Sequence, residues 1–207
     1  SEDGLTAYIS FLAKNIPPVG YSVYRVFEES PELVKSDIMF GPDFVVNSNF
    51  KIKWDEKGLT SIIDKKNSKE LLSRRGNTLQ LLGESNSSSW SLSFTGEDFP
   101  LKSLGKPRLV EEGPVRTVLL WQDRNQSSFI SRELILKAHS EQLHFRMTVD
   151  WHDHDKILQV AFPTSVDSGK AVFEQPYGYI ERLNDGNEWP AQNWIDLAND
   201  DFGVALL

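Results

Sequence analysis

Cysteine is absent from the 207 residues, which excludes disulfide bonds, thiol nucleophiles, cysteine-ligated zinc and iron–sulfur clusters. The chain also lacks a basic excess: 22 Lys and Arg stand against 30 Asp and Glu, a formal charge of −8. Nucleic acid and anionic lipid are therefore not predicted partners, because both require a basic surface. No stretch approaches the ~20 apolar residues of a membrane-spanning helix, so no membrane partner is predicted. The missing cysteines favour a reducing cytoplasm.

Turn signals recur about every ten residues, the spacing typical of an all-β sandwich. Between them lie runs rich in Val, Ile, Leu, Phe and Thr, whereas helix signals are few. One short helical turn is predicted at Ser30-Pro31, with Ser30 as the cap. The turn signals include Pro17-Pro18, Gly41-Pro42, Gly58, Gly76-Asn77, Gly96, Gly105, Gly113-Pro114, Gly169 and Asn184 to Asn187.

Strict alternation of apolar and polar residues over Gln142–Trp151 predicts a strand with one apolar and one polar face. The runs Pro114–Gln122 and Ser128–Lys137 have similar length and short polar connections. Together the three runs predict an antiparallel meander. Upstream, Phe50–Trp54 and Leu59–Ile63 flank a polar turn and predict a β-hairpin, in which Gly58 is expected to supply a positive φ.

The two ends of the sequence suggest a piece of a longer chain. Residues 1–29 contain two strand-like runs, Leu5–Leu12 and Val19–Phe27, and are interpreted as closing strands of a preceding small β-domain. Residues 30–207 would then form the N-terminal portion of a larger β-domain. We expect that domain to be truncated at its C-terminus, because Phe202–Leu207 is an apolar run that would leave an exposed strand edge.

The densest polar cluster in the chain is Asp150 to Asp155. On a strand, His152 and His154 share a face, with His144 further along it, so these three histidines are the candidate metal ligands. The opposing interpretation is a polar turn with internally paired charges. A second hypothesis is acid–base catalysis of the aldose-epimerase kind, with His144, His152 and a carboxylate such as Glu133 or Glu174.

Six tryptophans are present, and an indole face packs well against the C–H groups of a sugar. Trp54, Trp121 and Trp151 fit the apolar phase of predicted strands and are expected in the core. Trp90 and Trp189 lie in loop-like surroundings and are the candidate substrate-stacking residues. A stand-alone carbohydrate-binding domain is therefore one hypothesis.

Several stretches, in order along nearly the whole chain, resemble the C-terminal β-domain of glycoside hydrolase family 38 α-mannosidases. The most specific is Val149 to Pro163, which is similar to the family pattern Val-Asp-Trp-His followed by Lys-x-Leu-Lys-Val-x-Phe-Pro. The other matching stretches are Pro17 to Tyr21, Asn47 to Lys66, Gly76 to Leu81, Glu112 to Arg116, Phe173 to Arg182, Pro190 to Leu197 and Phe202 to Leu207.

The resemblance implies a large antiparallel β super-sandwich, the galactose-mutarotase-like fold. It also implies a longer parent enzyme that hydrolyses α-mannosides with retention of configuration. The family's zinc, nucleophile and acid residue belong to an N-terminal catalytic domain that is missing from this sequence. We therefore expect no catalytic residue and no cofactor in this chain, which would have the missing catalytic domain and a mannoside as partners.

Overall fold

A computed structural model describes residues 9–27, 35–86, 88, 91–126 and 128–207. These ranges consist of antiparallel strands and loops; they hold no helix, and hence none that could cross a bilayer. The strands are β1 Met39–Phe40, β2 Phe44–Val46, β3 Phe50–Trp54, β4 Leu59–Asp64, β5 Lys69–Glu70, β6 Thr78–Glu84, β7 Phe94–Phe99, β8 Lys102–Ser103, β9 Arg108–Glu112, β10 Arg116–Asn125, β11 Ser128–Lys137, β12 His144–Asp150, β13 Lys156–Ala161, β14 Lys170–Gln175, β15 Gly178–Leu183, β16 Ile195–Ala198 and β17 Gly203–Leu206.

The described strands pair into four sheets. The first has the order β1-β2-β3-β4-β5, and the second has the order β12-β11-β10-β8, with β9 also paired to β10. The third sheet is β13-β6-β7 and the fourth is β15-β14-β16-β17. Many neighbours in these sheets are also neighbours in sequence, which is the expected result when short turns join antiparallel strands.

The hydrophobic core lies between the first and second sheets. Strands of both sheets place alternate side chains on the inner face, as the two-residue period of a strand requires. The cluster formed by these buried residues comprises Val45, Ile52, Trp54, Leu59, Ile62, Leu72, Leu119, Trp121, Leu134 and Leu136. The predicted all-β sandwich is confirmed.

The predicted meander is also confirmed as β10, β11 and β12. Its last strand is an edge strand, because β12 pairs only with β11 among the described strands. The apolar face of β12 is also only partly covered: Phe145, Met147 and Val149 are 38%, 43% and 38% exposed. Alternation identified the apolar face correctly, but it could not show that the strand lies at the border of its sheet.

The β3–β4 hairpin is confirmed, but the expected role of Gly58 is wrong. Gly58 has no positive φ. It is required for space instead, since a Cβ there would lie 2.5 Å from the carbonyl oxygen of Gly76. The turn is stabilised by the Asp55 carboxylate, which accepts hydrogen bonds from the backbone N–H groups of Lys57 and Gly58 at 2.8 and 3.2 Å.

Asn47 joins the first sheet to the turn between β11 and β12. Its fully buried side chain donates to the carbonyl oxygens of Lys137 and Ser140, both at 3.1 Å. Its Oδ1 accepts from the backbone N–H groups of Asn49 and Phe50 at 2.9 and 2.7 Å. Every polar atom of the amide is thus partnered, which is the condition for burying one without a large energetic cost.

The β14–β15 hairpin closes through Pro176 and Tyr177. Tyr177 is fully exposed and has a φ of 68°. Proline followed by a residue of positive φ is the pattern of a type II turn, whose second position normally favours glycine. Tyr177 therefore adopts a backbone conformation that costs free energy in any residue with a Cβ.

The segment 9–27 contains a turn but no strand. Gly20 N donates to the Pro17 carbonyl oxygen at 3.2 Å, and the rings of Phe11 and Tyr24 lie 4.9 Å apart. Its side chains are exposed, and two isolated strands are marginal without a third strand or a packing surface. The predicted domain boundary and the helical turn at Ser30-Pro31 lie outside the described residues, so the division into 1–29 and 30–207 stays a prediction.

Candidate functional site

The polar segment Asp150–Lys156 connects β12 of the second sheet to β13 of the third. Both ends of the connection are tied to neighbouring strands. His152 N donates to Ser128 Oγ at 2.8 Å, and Glu84 N donates to the carbonyl oxygen of Asp155 at 2.9 Å. The segment is a fixed crossing between two sheets, as the polar-turn interpretation predicted.

Asp153 is buried at the centre of this crossing. Its Oδ1 accepts hydrogen bonds from Lys156 Nζ at 2.7 Å and from Asn125 Nδ2 at 2.9 Å. Lys156 is itself largely buried and lies 4.7 Å from the centre of the Phe99 ring. The hydrogen bond from the Lys156 ammonium above all, followed by those from Ser128 and Asn125, lowers the pKa of the Asp153 carboxyl, although burial acts to raise it. A carboxylate held ionised in this way does not supply a proton near neutral pH, and we interpret it as a structural anchor.

The three candidate histidines occupy separate positions. His152 Nε2 lies 2.9 Å from Asp150 Oδ1, and His154 is exposed two residues further on. His144 begins β12, where burial and then the charge of Lys137 lower the pKa of its imidazole. β12 carries the chain six residues from His144 to Asp150, or roughly 20 Å at the usual rise of a strand, and His152 lies two residues beyond that end.

Within the described ranges, no group of three or more His, Asp or Glu side chains is placed to hold a metal ion. The same separation applies to the epimerase hypothesis, which required His144 and His152 to act on one sugar. The structure does not bring this pair together.

The two carboxylates considered with these histidines are both bound to the protein itself. Glu133 Oε2 lies 3.2 Å from Arg146 Nη1 on the neighbouring strand. Glu174 Oε2 accepts from the backbone N–H groups of Gln192 and Asn193 at 3.2 and 3.0 Å. One stabilises a strand pair and the other fixes a loop.

The tryptophans that alternation placed in the core are largely removed from solvent. Trp54 and Trp121 are buried in the core, and Trp151 is half-buried. Trp189 is 39% exposed, and the guanidinium of Arg182 lies 4.5 Å from its ring centre. Such a cation–π contact orients the indole while part of it stays exposed. Trp90 lies outside the described residues, and sugar stacking by either residue stays a prediction.

Sequence reasoning missed a buried ion pair in the core. Arg132 Nη2 lies 2.7 Å from Asp123 Oδ2, with side-chain exposures of 3% and 10%. Arg132 also donates to the Asn77 carbonyl oxygen, and its guanidinium carbon lies 5.8 Å from the centre of the Trp121 ring. The sequence did indicate this pair, because Asp123 and Arg132 stand at strand positions where the alternation predicts apolar side chains that face the core.

The fold and these contacts define an antiparallel β-sandwich domain in which the polar Asp150–Lys156 segment is held by contacts within the protein. The family model described as the glycosyl hydrolases family 38 C-terminal domain matches residues 45–207. The chain therefore belongs to this family, which confirms the resemblance read from its motifs.

Curated relatives carry α-mannosidase names. The chain is 35% identical to mouse alpha-mannosidase 2C1 over 89 residues, which is 39% of this chain and 9% of that protein. It is 27% identical to Dictyostelium discoideum alpha-mannosidase G over 193 residues, or 83% of this chain and 17% of that protein. The matched part thus spans less than a fifth of either relative.

Solved structures support the fold. A glycosyl hydrolase family 38 protein from Enterococcus faecalis superimposes with a TM-score of 0.67 at 16% identity, covering 89% of this chain and 26% of that chain. An α-mannosidase from Enterococcus faecalis V583 gives the same TM-score and identity over 25% of its length. At this level of identity the likeness concerns the fold alone.

Proposed function

We propose that this chain is a non-catalytic β-sandwich part of an α-mannosidase whose reaction takes place in a separate N-terminal domain of the same polypeptide. The observation that carries the proposal is that the Asp150–Lys156 segment is bound to other parts of the same chain. Its buried carboxylate, Asp153, is bound to Lys156 and Asn125 instead of facing a substrate. The most specific motif of the chain thus has a structural explanation.

The chemistry of retaining glycosidases supports the same assignment. They require two carboxyl groups about 5 Å apart on either side of the scissile bond. The sequence singles out no such pair, and Glu133 and Glu174, considered only for the epimerase hypothesis, are bound within the protein to Arg146 and to a loop backbone. The parent enzyme would then perform its two displacement steps with residues of the other domain, and this chain would pack beside them.

Zinc is expected in the parent, and the described residues do not fit it. His152 lies beside Asp150 and His139 lies beside Asp37, and no third ligand joins either pair among these residues. We therefore assign the metal to the catalytic domain and give this chain no part in holding it. A cytoplasmic location stays a prediction from composition.

The test is an activity assay of the purified 207-residue chain on p-nitrophenyl α-mannoside with added zinc or cobalt. We expect no turnover from a chain that circular dichroism shows to be folded and that unfolds cooperatively. Full-length parent enzyme, assayed in parallel, is the positive control. Turnover that copurifies with the chain and disappears with a chelator would overturn the proposal.

A further inference from the structure

A surface cleft of about 490 Å³ opens beside the β3–β4 hairpin. This volume lies within the 300–1,000 Å³ typical of small-molecule sites. The cleft brings together the hairpin turn, the loop before β2, the segment before β6 and the loop before β9. Its lining residues are Pro42, Asp43, Trp54, Asp55, Glu56, Lys57, Arg75, Lys106 and Pro107.

The floor of this cleft is held rigidly. Trp54 is a core residue, and Trp121 Nε1 donates to the Asp55 carbonyl oxygen at 3.0 Å. The Asp55 carboxylate accepts from Arg75 Nε at 3.0 Å as well as from its own turn. Close packing of Gly58 against Gly76 fixes the turn from behind. A concave surface fixed by core contacts loses little entropy when a ligand binds.

The charged groups of the cleft balance one another. Asp43, Asp55 and Glu56 supply three carboxylates, whereas Lys57, Arg75 and Lys106 supply three cations. Asp55 and Arg75 neutralise each other in an ion pair. The side chains of the other four have no hydrogen bond or ion pair within the described part of the chain, so two acceptors and two donors stay available to a ligand.

This balance selects a class of ligand. A phosphate or another anion would favour an excess of cations, and a metal ion would favour an excess of carboxylates. A neutral molecule with many hydroxyl groups needs donors and acceptors together, because each hydroxyl both donates and accepts. Pro42 and Pro107 add apolar surface for C–H groups. We propose that this cleft binds a neutral saccharide, with Asp43 and Glu56 accepting from its hydroxyls and Lys57 and Lys106 donating to them.

The saccharide class follows from the cleft alone. The expectation that α-mannosides bind better than other hexosides rests on the proposed function, so one titration series tests the two statements separately. Methyl α-mannoside, α-mannobiose, methyl α-glucoside and inorganic phosphate are the probes. Binding to the 207-residue chain is followed by saturation-transfer NMR and by tryptophan fluorescence, since Trp54 lies in the floor.

We expect the saccharides to bind and phosphate neither to bind nor to compete. Glu56→Gln and Lys106→Met should each weaken saccharide binding about tenfold, as expected for the loss of a hydrogen bond to a charged group. Asp98→Asn and Lys102→Met are matched controls, since both side chains are exposed and lie outside the cleft; they should not change the affinity. All four changes affect exposed side chains, so each variant should fold, as circular dichroism will verify.

Three results would overturn the saccharide site: no saccharide binding by the folded chain, equal affinity of wild type, Glu56→Gln and Lys106→Met, or displacement of the sugar by phosphate. Equal affinity for the mannoside and the glucoside would uphold the site and remove only the mannoside preference. Activity of the chain on p-nitrophenyl α-mannoside is a separate measurement, so the proposed function and the saccharide site can fail independently.

Discussion

Replacing Arg132 with Met is expected to destabilise the sandwich strongly, because it leaves the buried Asp123 carboxylate without its counter-charge. Asp123 and Arg132 are paired across β10 and β11 at 2.7 Å, and both side chains are almost completely removed from solvent. The change also removes the donor to the Asn77 carbonyl oxygen. Met keeps much of the side-chain volume, so the effect measures charge and hydrogen bonding more than packing.

Removing one partner of a buried ion pair typically costs about 3–5 kcal/mol, since the remaining charge stays desolvated. For a chain of this length that corresponds to a decrease in Tm of roughly 10 °C. Removing both charges should be much less harmful, because well-packed apolar side chains can replace a buried pair at little cost. The double variant Arg132→Met with Asp123→Leu should therefore recover most of the lost stability.

The free energy of unfolding is measured by urea titration, followed by circular dichroism and by tryptophan fluorescence. Arg146→Met is the matched control. It breaks the exposed Arg146–Glu133 pair in the same sheet, and such pairs contribute about 0–1 kcal/mol. Equal losses for Arg132→Met and Arg146→Met would refute the reasoning, as would a double variant no more stable than Arg132→Met.

Three further changes test other parts of the structure. Asp153→Asn should make the free energy of unfolding less sensitive to acid. The pKa of this carboxyl is lowered on folding, so its stabilisation is present above the unfolded pKa of about 4 and is lost as pH falls through the folded value. Urea titrations at several pH values check this, with exposed Asp98→Asn as control, and an unchanged pH dependence would contradict it. Tyr177→Gly should raise the free energy of unfolding by about 1 kcal/mol, because glycine adopts a positive φ without strain. Tyr177→Phe keeps the strain and should have no effect on Tm. A Gly variant no more stable than the Phe variant would show that Tyr177 is not strained. Gly58→Ala should lower the free energy of unfolding by about 1–3 kcal/mol, because its Cβ would overlap a backbone oxygen. Gly169→Ala is the control, since a Cβ there meets no atom within 4 Å and should leave Tm unchanged. Similar Tm values for these two variants would show that Gly58 is not confined.

Much of the fold could be read from local patterns. The period-two alternation of Phe50–Trp54 and of His144–Asp150, with polar turns between apolar runs, identified the hairpin and the meander. A strand that faces a core on one side must alternate apolar and polar residues, and this alternation can be seen directly in the sequence. The role of Gly58 could not be read in this way, because the close approach of Gly76 comes from a segment 18 residues later.

The candidate site depended much more on tertiary structure. The run from Asp150 to Asp155, polar except for Trp151, looked like a site for metal or sugar chemistry. The structure instead places Asp153 against Asn125 and Lys156. Asn125 is the last residue of β10 and precedes Asp153 by 28 residues. The cleft beside the β3–β4 hairpin was not recognised, because its charged residues come from four separate segments, none of which is distinctive alone.

The sequence by itself determined the all-β class, the strand pairs joined by short turns and the family, since each depends on residues close together in the chain or on motifs in a fixed order. Only the tertiary structure decided which charges are buried, which apolar face stays at a sheet edge and which loops share a cleft. The physical reason is that burial, ion pairing and concave shape arise between segments far apart in sequence, and their energies depend on distances that no local pattern specifies.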